Sequence, residues 1–493
     1  MQLTGVTAAR ARQAGPGGRP LPAVLALTSV AFFMVALDAL VVVTALPAIH
    51  RSIGGSLGTL EWAVNSYSLT FAAGIITAAA IGDRLGRRRV YVAGLVLFTL
   101  ASAACALAPS AGALIAARAV QGLGSAAVTP LSLTILTSSF PAARRGAVVG
   151  IWGGIGGLAI AGGPLVGGAV VQGLSWHWIF WLNVPIGLAA AVLSAIWLPE
   201  SHGPAGRLDL PAVPLIAGGA VAIAWALVQT GSAGWSDPKV IAAFAIGAVL
   251  LAGFVLRERR APDPMLPLRL FRIRTFSAAN ATGFLMSGAI FSAAFLTAQY
   301  FQLGIGYSPM ATGLRLLPWT ATPVVVAPLA GALADRIGPR PLLVTGLALQ
   351  AAGLAWVAHV ASSAGGYGRF VIPLIAAGVG ISMALPTAPA AVLGAVTPSD
   401  LGRASGVSNT LQRFGGAFGI AIAAAVFAAF GRLGPPAAMV AGYRPALAVS
   451  AGLSLLGAVT ALAVRRPGRP PAGSPRPDSS RPQLVPAAPS AGS

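Results

Sequence analysis

Apolar residues in this chain fall in long blocks broken by short polar interruptions, at approximately 21–47, 60–81, 90–109, 112–136, 147–171, 178–198, 211–230, 239–256, 276–303, 313–333, 341–361, 367–394, 404–430 and 444–464. A helix needs about 20 apolar residues to cross a bilayer, and each block is near or above that length. Membrane barrels alternate in segments of about ten residues, which these blocks do not. The pattern predicts an all-α integral membrane protein with fourteen spans. Glycine and proline recur inside several blocks, as membrane helices allow. The expected layout is an N-terminal tail over 1–20, a six-helix bundle over 21–200, two linking transmembrane helices with a basic loop over 201–275, a second six-helix bundle over 276–464, and a disordered tail over 465–493.

Composition supports the membrane reading. The chain is 56 % hydrophobic and only 9 % charged, against about 25 % charged in soluble domains. A net charge of +21 would suggest nucleic acid in a soluble chain, but here the arginines lie between apolar blocks. With the N-terminus inside, 24 of the 32 Lys and Arg fall in inside segments and five in outside loops (Arg51, Lys239, Arg369, Arg432, Arg444). That asymmetry places both termini on the cytoplasmic side. Lys239 is the single lysine, and the Ala, Gly and Pro content suits a GC-rich bacterial genome, hence a bacterial cytoplasmic membrane. The lone Cys105 excludes an intrachain disulfide. No cleavable signal peptide is expected, because Asp38 interrupts a first block already too long for one. The basic stretch Arg257 to Arg274 reads as a solvated linker, with an interfacial amphipathic segment as the alternative.

Polar residues inside or between the blocks carry the chemistry. The short loop at 79–89 holds Asp83, Arg84, Gly86, Arg87 and Arg88, and its echo 252 residues later (335 − 83) holds Asp335, Arg336, Gly338 and Arg340. One such hinge per half implies two copies of a bundle. An acid beside a helix N-terminus and arginines facing acids or lipid phosphate make each hinge a candidate cytoplasmic latch. Block five carries Gly150, Gly163, Pro164, Gly167 and Gly168 among ten glycines and prolines. Small residues four apart let backbones touch. Arg118 lies inside block four, where an arginine must snorkel outward or face a cavity and bias a carboxyl. Asp38 sits in block one with sixteen residues, Pro22 to Leu37, before it. A charge there costs about 2.5–3.5 kcal/mol, a cost that a proton would remove, so Asp38 is the expected proton-coupling group, with Arg118 as a further coupling or substrate residue. The position also suits a hydrogen-bonded packing residue or a carboxylate that meets a cationic substrate. Trp62, Asn65, Gln121, Asn409, Gln412 and Arg413 are candidates to line a cavity. No phosphate-binding Gly-x-x-x-x-Gly-Lys loop and no His/Cys/Glu cluster at metal-ligand spacing occurs. Neither an enzyme, a metal site nor a cofactor is expected.

These motifs resemble the major facilitator superfamily, and within it the fourteen-span drug:proton antiporters, over roughly residues 21–464. The 79–89 loop is similar to the family's loop between spans two and three, with Ala79 where Gly is usual. Leu114, Arg118, Gln121, Gly122 and Gly124 match the span-four pattern. Gly163-Pro164-Leu165-Val166-Gly167-Gly168 resembles the antiporter motif of span five, and Leu37 to Pro47 the first-span motif containing the acid. Trp176 to Gly187 resembles the start of span six, where His177 replaces the more usual Arg. The resemblance implies a proton-driven exporter of amphipathic organic compounds, acting by alternating access as a monomer, with protons and membrane lipid as its other partners. The alternative on the same fold is an importer or metabolite carrier.

Overall fold

A computed structural model describes residues 21–54, 57–203, 211–261, 264, 268–362, 366–397, 400–432 and 435–465. The two expected tails lie almost wholly outside the described residues. Among the described residues the regular structure is all helical, in the order α1 (Leu21–Ile53), α2 (Leu57–Leu85), α3 (Arg87–Ala106), α4 (Ala111–Ser139), α5 (Ala142–Gly173), α6 (Trp178–Trp197), α7 (Ala212–Ala233), α8 (Pro238–Arg260), α9 (Arg274–Gly304), α10 (Pro309–Thr320 and Thr322–Ile337), α11 (Pro339–Val360), α12 (Gly368–Leu393), α13 (Leu401–Phe430) and α14 (Pro436–Ala461). Among the described residues eleven helices are long and apolar enough to cross a membrane, or twelve when the bent pair within α2 is one span. The two remaining expected blocks are helical as α5 and α7.

Glycine geometry sets the breaks. Gly86, between α2 and α3, has φ 109°, and Gly338, between α10 and α11, has φ 85°. A side chain at either φ would be strained, so the same device ends the second helix of each half. Elsewhere Ser110, Asp237 and Ser308 cap α4, α8 and α10 by accepting from a backbone N–H, which satisfies one of the orphan donors of a helix start. His177, just before α6, stacks on Trp176 with ring centroids 3.8 Å apart. Burial lowers its affinity for a proton, and its Nδ1 lies 3.3 Å from Ser175 Oγ.

The halves meet along α2 with α13 and α5 with α10, while α7 lies against α2 and α13 and carries α8 on its other face. On the arginine-poor side the contact between halves is backbone-close. A Cβ on Gly168 of α5 would collide with the Pro309 carbonyl of α10, and one on Gly313 would collide with the Pro164 carbonyl. Gln302 Nε2 donates to the Thr44 carbonyl at 2.8 Å, and the Met310 N–H donates to Gln172 Oε1 at 3.2 Å. Small residues make this approach possible, and the result is a seal between halves on that side.

Candidate functional site

Asp38 stands midway along α1 and is not solitary. Arg118 Nη1 donates to its Oδ2 at 2.6 Å, and both side chains are 1 % exposed. Gln121 Nε2 and Asn183 Nδ2 donate to Oδ1 at 3.0 and 3.1 Å. The group accepts three hydrogen bonds from two helices, two from α4 and one from α6, which is the pattern of a carboxylate. Arg118 also donates to Gln121 Oε1 at 2.8 Å and to the Ala63 carbonyl at 3.1 Å. Its guanidinium stacks over Tyr67, 4.1 Å from the ring centroid. Asn183 reaches Ser102 Oγ at 3.1 Å, and Tyr67 Oη lies 2.8 Å from Ser125 Oγ. The network therefore clamps α1, α2, α3, α4 and α6 around one buried ion pair.

Snorkelling of Arg118 is overturned by this geometry. The residue is seven positions into α4 (118 − 111), yet its head turns inward because Asp38 and the Ala63 carbonyl supply acceptors that lipid cannot. Gln121 belongs to the same cluster. Asn65 does not: it donates to Glu61 Oε1 at 3.3 Å, one helical turn back on α2. Trp62 packs beside the cluster of Leu69, Ala220, Ala224 and Phe414, between α2, α7 and α13. On α13, Asn409 is exposed and donates to the Ser405 carbonyl, while Gln412 donates to Ser408 Oγ. Arg413 crosses to the other half, with its guanidinium 4.2 Å from the Phe71 ring centroid on α2. Asn183, Ser102 and Tyr67 carry no role in the sequence reading. The available signal was an amide inside the apolar sixth block, where burial demands a partner.

At the hinge, Arg87 Nε donates to Asp83 Oδ1 at 2.7 Å within the N-terminal half. The loop is held by the strand of chain after α6. Glu200 Oε1 accepts from the Arg88 N–H at 3.0 Å, Arg88 Nη1 donates to the Leu198 carbonyl at 3.2 Å, and the Arg87 N–H donates to the Ser201 carbonyl at 2.9 Å. Gly86 leaves room for the Glu200 carboxylate, which a Cβ would approach to 2.8 Å. Arg84 is exposed. In the echo, Arg336 and Arg340 are exposed, and the Asp335 side chain lies outside the described residues. On α5, a Cβ on Gly163 would stand 2.8 Å from Leu40 Cβ, and one on Gly167 2.5 Å from Thr44 Oγ1. Those two glycines seat α5 on α1, while Gly168 and Pro164 face α10. Gly150 is helical, and nothing more is described there.

The comparisons agree with this architecture. The sequence profile of the Major Facilitator Superfamily matches residues 28–321 and 281–489. The chain is 34 % identical over 411 residues to the tetracenomycin C resistance and export protein of Streptomyces glaucescens, covering 83 % of this chain and 76 % of that one. It is 34 % identical over 444 residues to the puromycin resistance protein of Streptomyces alboniger, covering 87 % and 88 %. Among solved structures, a peptide transporter of the POT family in complex with a thioalcohol conjugated peptide superposes with TM-score 0.68 at 16 % identity, over 90 % of this chain and 96 % of that one. The xylose transporter XylE from E. coli superposes with TM-score 0.61 at 13 % identity, over 89 % and 96 %. With two bundles, paired glycine hinges, a bundle-sealing fifth helix and these matches, the chain belongs to the major facilitator superfamily.

Proposed function

We propose that this transporter exports amphipathic organic compounds, antibiotics among them, in exchange for protons, by alternating access between its two bundles. The observation that carries the coupling is Asp38: a carboxyl group at mid-span, tied to Arg118, Gln121 and Asn183, in a network that joins five helices. Protonating it would remove one charge of the pair and loosen Arg118 from α1, which gives the proton a way to change how α1, α2 and α4 pack. The export direction is supported by relatives whose names describe resistance to and export of antibiotics. The close α5–α10 contact on the arginine-poor side supports a cavity that opens to the other side in this state.

Inverted membrane vesicles with an imposed pH gradient test the reading. Substrate, followed as a fluorescent dye or antibiotic, accumulates while the gradient stands and leaves when a protonophore collapses it. Accumulation that survives collapse of the gradient overturns proton coupling.

A further inference from the structure

The Asp38–Arg118 pair neutralises itself, whereas a second guanidinium at similar depth, Arg413, is not paired with it. Arg413 lies 12 residues into α13 (413 − 401), about 18 Å along the helix at 1.5 Å per residue. Phe71, beneath its guanidinium, is 14 residues from either end of α2 (71 − 57 and 85 − 71). Arg413 is partly exposed, and among the described residues no carboxylate lies within ion-pair distance of it. Glu61 is ten residues up α2 from Phe71 (71 − 61), about 15 Å away along the helix, and it is hydrogen-bonded by Asn65. Arg315 is at the arginine-poor end of α10, stacked on Tyr307. The two central guanidiniums thus rest on successive rings of one helix, Arg118 on Tyr67 and Arg413 on Phe71, whose centroids are 5.8 Å apart. Of these two cations only Arg118 has a carboxylate partner. Arg118 Nη2 is in addition a buried donor with no acceptor among the described residues.

An uncompensated guanidinium at this depth is costly and is stabilised by an anion. Next to it on α13, Phe414 and Phe418 lie with centroids 6.3 Å apart, and Phe284 of α9 is 6.1 Å from Phe418. We infer that the central site selects amphipathic aromatic anions, such as carboxylic acids and ionised phenols, with Arg413 as the charge partner, and not the cationic drugs to which a lone membrane aspartate would point. This inference deepens the efflux reading and rests on it only for the direction of transport.

Binding to the purified full-length protein separates the two. Two dyes on one xanthene ring system, anionic carboxyfluorescein and cationic tetramethylrhodamine methyl ester, are titrated in detergent with fluorescence anisotropy as the readout. Carboxyfluorescein is expected to bind the wild type more tightly. Arg413→Gln should weaken it about tenfold or more, and Arg413→Lys should restore most of the loss. Tighter binding of the cation, binding of neither dye, or an Arg413→Gln protein that folds and binds the anion unchanged would overturn the inference. Should carboxyfluorescein bind as expected yet fail to accumulate in energised inverted vesicles, the site assignment stands and the efflux reading fails.

Discussion

Replacing Asp38 by Asn puts the buried pair to a quantitative test. Three donors converge on the two carboxylate oxygens, two on Oδ1 and one on Oδ2. An asparagine amide supplies one oxygen and one NH2, so at least one N–H must face another N–H. Arg118 also loses its counter-charge while remaining 1 % exposed. Removing one partner of a buried pair costs about 3–5 kcal/mol. Arg118→Gln leaves Asp38 with its bonds from Gln121 and Asn183 but removes its counter-charge, a loss of the same order, about 3–5 kcal/mol. The double variant buries no charge and recovers much of the loss. A double-mutant cycle should therefore show a coupling of about 2–3 kcal/mol, near the top of the range for residues in direct contact. The assay is reversible unfolding in lipid–detergent micelles by graded SDS, followed by far-ultraviolet circular dichroism. If the two single effects add to the double effect within about 0.5 kcal/mol, the pair is not an energetic unit and the network reasoning fails.

Two further outcomes are expected. Gly167→Val should abolish efflux at wild-type expression, since even its Cβ would meet Thr44 Oγ1 at 2.5 Å and the Val41 carbonyl at 2.9 Å, whereas Gly153→Ala, with nothing within 4 Å, should transport normally. Gly86→Ala should destabilise the fold by about 1–2 kcal/mol from its positive φ, seen as a lower SDS midpoint, with further loss from crowding the Glu200 carboxylate.

Much of this protein is written in one dimension. Span positions follow from runs of apolar residues, because a bilayer imposes the same length on every helix that crosses it. The hinges follow from glycines flanked by charge, and their 252-residue repeat is matched by positive φ at both Gly86 and Gly338. Asp38, Arg118 and Gln121 stood out singly, since a polar group in an apolar block has few reasons to be there. What the chain order could not say is who meets whom. Asp38 and Asn183 are 145 residues apart and join only because α1 and α6 pack side by side. Glu200 reads as the polar end of a span until the fold sets it over Gly86 and the Arg88 N–H. Above all, an aspartate in a membrane helix looks like a free negative charge. Only the packing of α4 against α1 cancels it with Arg118, and only the approach of α13 to α2 leaves Arg413 as the cation at the centre. Local sequence sets what each helix can bury, while the sign of a cavity is a sum over helices distant in sequence, and tertiary packing decides which charges enter that sum.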